Sequence, residues 1–134
     1  MNLLRRVIRE MFETPSRAVI HIDGFPLEVE IAADPDSRSR GLMHRDHLND
    51  DEGMLFCFDQ PEESAFWMRN TGLPLSIAFI SSDGVVCQIE DLSPHSESRV
   101  VSRVPCLWAI ETNRGWFSSR RVRVGSIVSG LQSF

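Results

Sequence analysis

The spacing of apolar residues changes along this chain, and each change predicts an element. Over residues 2 to 13, Leu4, Val7, Ile8, Met11 and Phe12 recur at helical spacing, with Arg5, Arg6, Arg9, Glu10 and Glu13 largely elsewhere. That pattern predicts an amphipathic helix, closed by Thr14-Pro15. From Ala18 the period becomes two: Ala18, Ile20 and Ile22 alternate with Val19, His21 and Asp23, and Leu27, Val29 and Ile31 alternate with Glu28 and Glu30. Asp23-Gly24 between these runs predicts a tight hairpin, because both residues tolerate the left-handed backbone that such turns need. Asp34-Pro35 reads as the N-cap and first position of a short helix over Ser37 to Met43, and His47 to Glu52 as a polar loop.

Gly53 to Phe58 predicts a buried strand, followed by a loop built on Asp59, Pro61, Glu62 and Glu63, with extended structure resuming at Phe66 to Met68. Ser76 to Ser81 and Val85 to Glu90 flank Asp83-Gly84, which predicts a second hairpin of the same chemistry. Ser93 to Pro105 reads as a mobile loop, Leu107 to Glu111 as a strand, Asn113 to Ser119 as a turn or single helical turn, and Val122 to Val128 as the last strand. The sum is six to eight short strands with two or three short helices, a compact, mostly antiparallel, barrel-like α+β domain. Residues 1–16 are expected to form an amphipathic helix and linker, and 17–134 the domain itself.

At 134 residues the chain suffices for one core without staples. Its net charge of −5 argues against nucleic acid, whose phosphates reward a basic face. No apolar run is long enough to span a membrane, and Arg5-Arg6 interrupts Leu3-Leu4 too early for a signal peptide, so a cytoplasmic location is expected. Cys57, Cys87 and Cys106 form an odd set without Cys-x-x-Cys spacing and read as small buried hydrophobes. All 14 basic residues are arginine, and tyrosine is absent, which excludes a lysine Schiff base, a phosphate-loop lysine and a tyrosine nucleophile. Guanidinium groups suited to capturing an anion remain.

Phe66-Trp67-Met68-Arg69-Asn70-Thr71-Gly72-Leu73-Pro74-Leu75 runs bulky apolar residues straight into a polar turn. With Arg40-Gly41-Leu42-Met43-His44-Arg45, Gly53-Met54-Leu55-Phe56-Cys57-Phe58, Ala109-Ile110-Glu111-Thr112-Asn113-Arg114-Gly115-Trp116 and Arg123-Val124-Gly125-Ser126, it resembles the DUF192 (UPF0127) family of small domains over residues 27 to 128. The family is one of unknown function, so the resemblance implies a fold and assigns no activity. Two positions depart from its pattern: Ser76 stands where relatives commonly carry Asp after the Pro-Leu pair, and Ser126 replaces a closing acid. Relatives are often secreted, an implication that stands beside the cytoplasmic reading.

Arg45, Trp67, Arg69, Asn70, Thr71, Glu111 and Asn113 are the polar or aromatic residues of these motifs, and all fall near strand ends. One reading is a pocket for a small polar or anionic ligand, with Trp67 as wall, Asn70 and Thr71 as orienting groups and Arg45 as anion partner. The other is internal pairing of Glu111 with Arg45 or Arg69, with Asn70-Thr71-Gly72 closing a turn. Glu111 is the acid embedded in an apolar strand and the carboxylate best placed for acid or base work. No Gly-x-Ser-x-Gly, paired His or Cys spacing or phosphate-cradling glycine run is present, so neither cofactor nor metal is expected; Met43, Met54, Met68, His44, His47 and Cys57 show no convergent spacing for a soft metal. The leading expectation is a non-catalytic ligand-binding module. The alternatives are an assembly module that forms homo-oligomers through the N-terminal helix and an enzyme using Glu111.

Overall fold

The computed structural model describes residues 16–132 and 134, so the expected N-terminal helix lies outside the described residues. The strands are β1 (Arg17–Ile22), β2 (Phe25–Ala32), β3 (Glu52–Glu62), β4 (Ala65–Phe66), β5 (Leu75–Ile80), β6 (Val86–Leu92), β7 (Val100–Val101), β8 (Cys106–Asn113) and β9 (Val128–Ser129). Two short helices are described, α1 (Pro35–Arg40) and α2 (Trp116–Ser119). Seven strands form one sheet in the order β6-β5-β8-β3-β2-β1-β9, while β4 and β7 pair separately. All pairs are antiparallel except β2 with β3. That parallel pair needs a crossover, supplied by the segment that carries α1.

The sheet curls into a half-barrel whose edges meet at one end. Val86 N donates to Ser126 O at 2.9 Å, Gly125 N to Val86 O at 2.8 Å and Val128 N to Gly84 O at 2.8 Å, linking the β6 edge to the segment entering β9. Alternation sends successive residues to opposite faces, and both faces are covered. One packs Leu55, Ala78, Ile80, Trp108 and Ile110 against Ile20, Val29 and α2. The other packs Met54, Phe56, Ile77, Phe79 and Ala109 against Leu42, Leu48 and Met68. β5, at the centre of both, is buried at all six positions, which explains its unbroken apolar run.

Local chemistry explains the element ends. Asp34 caps α1 by accepting from Ser37 N at 2.8 Å, with Pro35 in the first turn. In the first hairpin Asp23 and Gly24 both have positive φ, as expected of a two-residue turn. The second hairpin differs: Gly84 alone is left-handed, Gly84 N bonds Ser81 O, and the β5–β6 register slips between Phe79 and Ile80, leaving Cys87 in a bulge.

Several boundaries also move. β3 runs on through Asp59 and Pro61 to Glu62, where a loop was expected, because it pairs again with Cys106 after an irregularity. Val122 to Ile127 is turn rather than strand: Ser126 Oγ donates to Asp23 Oδ2 at 2.6 Å and Asp23 Oδ1 accepts from Ile127 N, tying that turn to the first hairpin. The Ser126 hydroxyl bond in particular holds the Asp23 carboxyl below its usual range. The segment expected as a mobile loop contains β7 and is bonded to Met68 and Thr71 through Ser96 and His95.

Candidate functional site

Glu111 sits in the middle of the sheet. On β8 it faces Met54 of β3 on one side and Ile77 of β5 on the other, and Met54 in turn aligns with Glu30 of β2. Two buried acids therefore occupy one row, which ends at Arg17 of β1 on one side and Glu90 of β6 on the other. The two acids are satisfied differently. Arg45 Nη2 lies 2.6 Å from Glu30 Oε2, a close ion contact that lacks the alignment of a directed hydrogen bond. No hydrogen bond or ion pair reaches the Glu111 carboxyl from the described residues, although Glu111 is only 4 % exposed. Burial alone pushes its pKa up to about 8.

The Glu111 side chain lines a cavity of about 230 Å³. One wall comes from α1 and the following turn, with Arg38, Arg40, Leu42 and Met43; another comes from Phe56 and Phe58 of β3. Ser64, Phe66, Trp67, Met68 and Thr71 also line it. Ser64 Oγ, on a residue that also lines the cavity, is a buried polar atom without a partner among the described residues. Arg38 is held by Ala33 O and Cys57 O at 2.8 and 2.9 Å, with its guanidinium over the Phe58 ring.

The Trp67 to Thr71 motif builds the wall through its turn. Asn70 takes a left-handed backbone, its carbonyl accepts from His44 N at 2.8 Å, and Thr71 N closes back on Met68 O. Met68 N and Thr71 O bond Ser96 and His95 on the other flank, so the turn is clamped from both sides. Trp67 is flanked by the guanidiniums of Arg69 and Arg99, at 5.5 and 5.6 Å from the ring.

Of the seven residues expected at a site, Trp67, Thr71 and Glu111 meet at the cavity. The other four do not line it. Arg45 pairs with Glu30 rather than with Glu111, the partner that one of the two readings gave to Arg45 or Arg69, and Arg69 lies over Trp67. Asn70 shapes the turn through its backbone, and Asn113 Nδ2 bonds the carbonyls of Leu48 and Asn49 at 2.7 and 3.2 Å. The Thr71 hydroxyl donates to Arg69 O at 3.1 Å. Sequence reasoning missed Arg38, Phe56, Phe58, Ser64 and Phe66. Phe56 and Phe58 alternate along the strand motif that carries the family resemblance, a signal that would have placed both on one face. The two departures from the family pattern lie elsewhere: Ser76 accepts from Gly115 N at 3.2 Å and donates to Asp91 Oδ1 at 3.2 Å, outside the cavity.

Fold and site together define a small curled-sheet domain with one acid at the wall of an aromatic and sulfur-lined cavity. The chain belongs to the DUF192 family, described as an uncharacterized ACR, whose model matches residues 18–130. No curated protein matches it. Among solved structures, a Sinorhizobium meliloti 1021 protein described as a candidate transcription regulator is similar at 36% identity with a TM-score of 0.84, covering 87% of this chain and 95% of its own. A Novosphingobium aromaticivorans DSM 12444 protein of unknown function is similar at 27% identity with a TM-score of 0.80, covering 90% and 96%.

Proposed function

We propose that the Glu111 cavity is a non-catalytic binding site for a small ligand with an apolar body and a polar head that meets the carboxyl. The observation that supports this is the carboxyl itself, buried and without a partner among the described residues, on the wall of a cavity. A buried polar group left unpaired destabilises a fold, and a ligand head that hydrogen-bonds or pairs with it recovers that loss. At about 230 Å³ the cavity lies just below the roughly 300–1,000 Å³ usual for drug-sized ligands, which suits a smaller one. An ammonium head fits best, because it draws charge onto Glu111 and the surrounding rings favour cations. Arg38 and Arg40 on the wall favour an anionic group on the ligand as a second reading. Among the described residues the cavity lining offers no histidine, cysteine or second carboxylate to share acid–base work, which favours binding over the enzymatic alternative. Direct contact with nucleic acid is disfavoured by the net charge of −5.

Benzylamine, benzyl alcohol and benzoate share a ring and differ in the charge of the head, so together they test the reading. The carboxyl carbon of Glu111, followed by NMR, should shift most with benzylamine, and thermal stabilisation by it should disappear in Glu111→Gln. A larger response to benzoate would move the reading to the arginines. Silence from all three probes at millimolar concentration, in both NMR and melting, would refute a pocket of this class.

A further inference from the structure

Cys87 and Cys106 were expected as unconnected buried hydrophobes, yet their sulfurs stand 3.1 Å apart. Their strands are not neighbours, because β5 lies between β6 and β8 in the sheet. Two irregularities bring them together. The slip between Phe79 and Ile80 leaves Cys87 without a cross-strand partner. The Gln88 side chain beside it then holds the chain that leads into β8, donating to Val101 O at 3.1 Å and accepting from Arg103 N at 2.9 Å. Cys106 follows at the start of β8, packed on the same face of the sheet as Cys87. Each thiol has a carbonyl acceptor, Phe79 O for Cys87 and Val104 O for Cys106, at 3.2 and 3.3 Å. With both hydrogens able to point to carbonyls, the two sulfurs face each other about 1 Å beyond bonding distance. Cys57 belongs to the opposite face of the sheet.

We propose that Cys87 and Cys106 are a modification site, joined into an intramolecular disulfide by a hydroperoxide oxidant. Cys87, the half-buried member, is the first to react. Its thiol gives up a proton, the thiolate attacks one peroxide oxygen, the O–O bond breaks, and the departing hydroxide takes up that proton as water, leaving Cys87 a sulfenic acid. The Cys106 sulfur then attacks the sulfenic sulfur, the S–S bond forms as the S–O bond breaks, and the departing hydroxide takes the Cys106 proton as a second water. The two sulfurs together give up two electrons, and hydrogen peroxide is reduced to two waters. The cross-link closes a loop between residues 19 apart. That loop contains the strap at Val101 and Ser102, which pairs with Ala65 and exchanges hydrogen bonds with Ser64 on the cavity wall.

The test treats the folded full chain with hydrogen peroxide, then denatures it and counts thiols. The count should fall from three to one, with a mass loss of two hydrogens and a tryptic pair joining Cys87 to Cys106, reversed by dithiothreitol. In Cys106→Ser, dimedone should trap a sulfenic acid on Cys87 that the wild-type chain does not accumulate. The proposal is overturned if three thiols survive, if Cys87 proceeds to sulfinic acid in the wild type, or if the cross-link involves Cys57 or a second chain. The wild-type mass measurement decides the matter even if the serine variant does not fold.

Discussion

Replacing Glu111 by Gln should make the protein more stable above neutral pH while leaving it nearly unchanged in mild acid. In the folded state burial raises the Glu111 pKa from 4.5 to about 8, so between those values the native chain holds a proton that the unfolded chain has released. The stabilising contribution is thus fully present below 4.5 and is lost as pH rises through about 8. At about 1.4 kcal/mol per pH unit, the loss is on the order of 5 kcal/mol, a large share of a small domain's stability. Glutamine keeps the shape of the protonated acid and does not titrate. Urea unfolding of both proteins across about pH 5 to 9 measures the gap between them, in which all other titrating groups cancel. The gap should open from near zero to several kcal/mol in favour of Gln and flatten above the folded pKa. A gap that stays constant with pH would mean that Glu111 titrates alike in both states, and the argument for an unpartnered carboxyl would fail.

Removing Arg45 should be strongly destabilising, because the Glu30 carboxyl, with a side chain only 9% exposed, would be left buried without a partner; Arg45→Met should cost about 3 kcal/mol by denaturant unfolding, and adding Glu30→Gln should restore most of it. Gly53→Ala should cost roughly 2 kcal/mol or more, because a Cβ there would overlap the backbone carbonyl oxygen of Glu111, and no flexible side chain can move aside; an unaltered melting temperature would contradict this. Ser76→Asp, which introduces the acid that the family resemblance implies at this position, should destabilise the chain above the carboxylate range by bringing a second carboxylate beside Asp91, and Asp91→Asn should reverse the loss in a melting curve followed against pH.

Much of the fold was legible because its signals are local. Period-two runs and Asp23-Gly24 located β1 and β2, and Asp34-Pro35 located the start of α1. What was not legible depends on pairing at a distance. Pro61 and Glu62 look like loop, yet β3 continues through them because Cys106 offers a partner. Val122 to Val128 carries strand-like valines, yet Gly125 turns left-handed and Ser126 bonds Asp23 across the chain. At the site, the apolar setting of Glu111 pointed to an unusual carboxyl, whereas the partner of Arg45 could not be read: Glu30 appears in sequence as one polar position of an alternating strand. Only the parallel pairing of β2 with β3 turns that position toward Met54 and places both acids in one row.

That row carries the functional argument. Glu30 and Glu111 flank the same methionine on the same face, and both are buried, so the fold meets one electrostatic problem twice. At Glu30 an arginine from the loop after α1 answers it. At Glu111 the facing positions are Met54 and Ile77, and Glu111 lines a cavity together with the apolar Met68. Glutamine would fill the same position without the instability expected near neutral pH, and an arginine on the Met68 turn would neutralise the acid at the cost of the cavity. An acid where packing alone favours an amide, beside a cavity that its own neutralisation would fill, supports the proposal of a group held ready for a ligand.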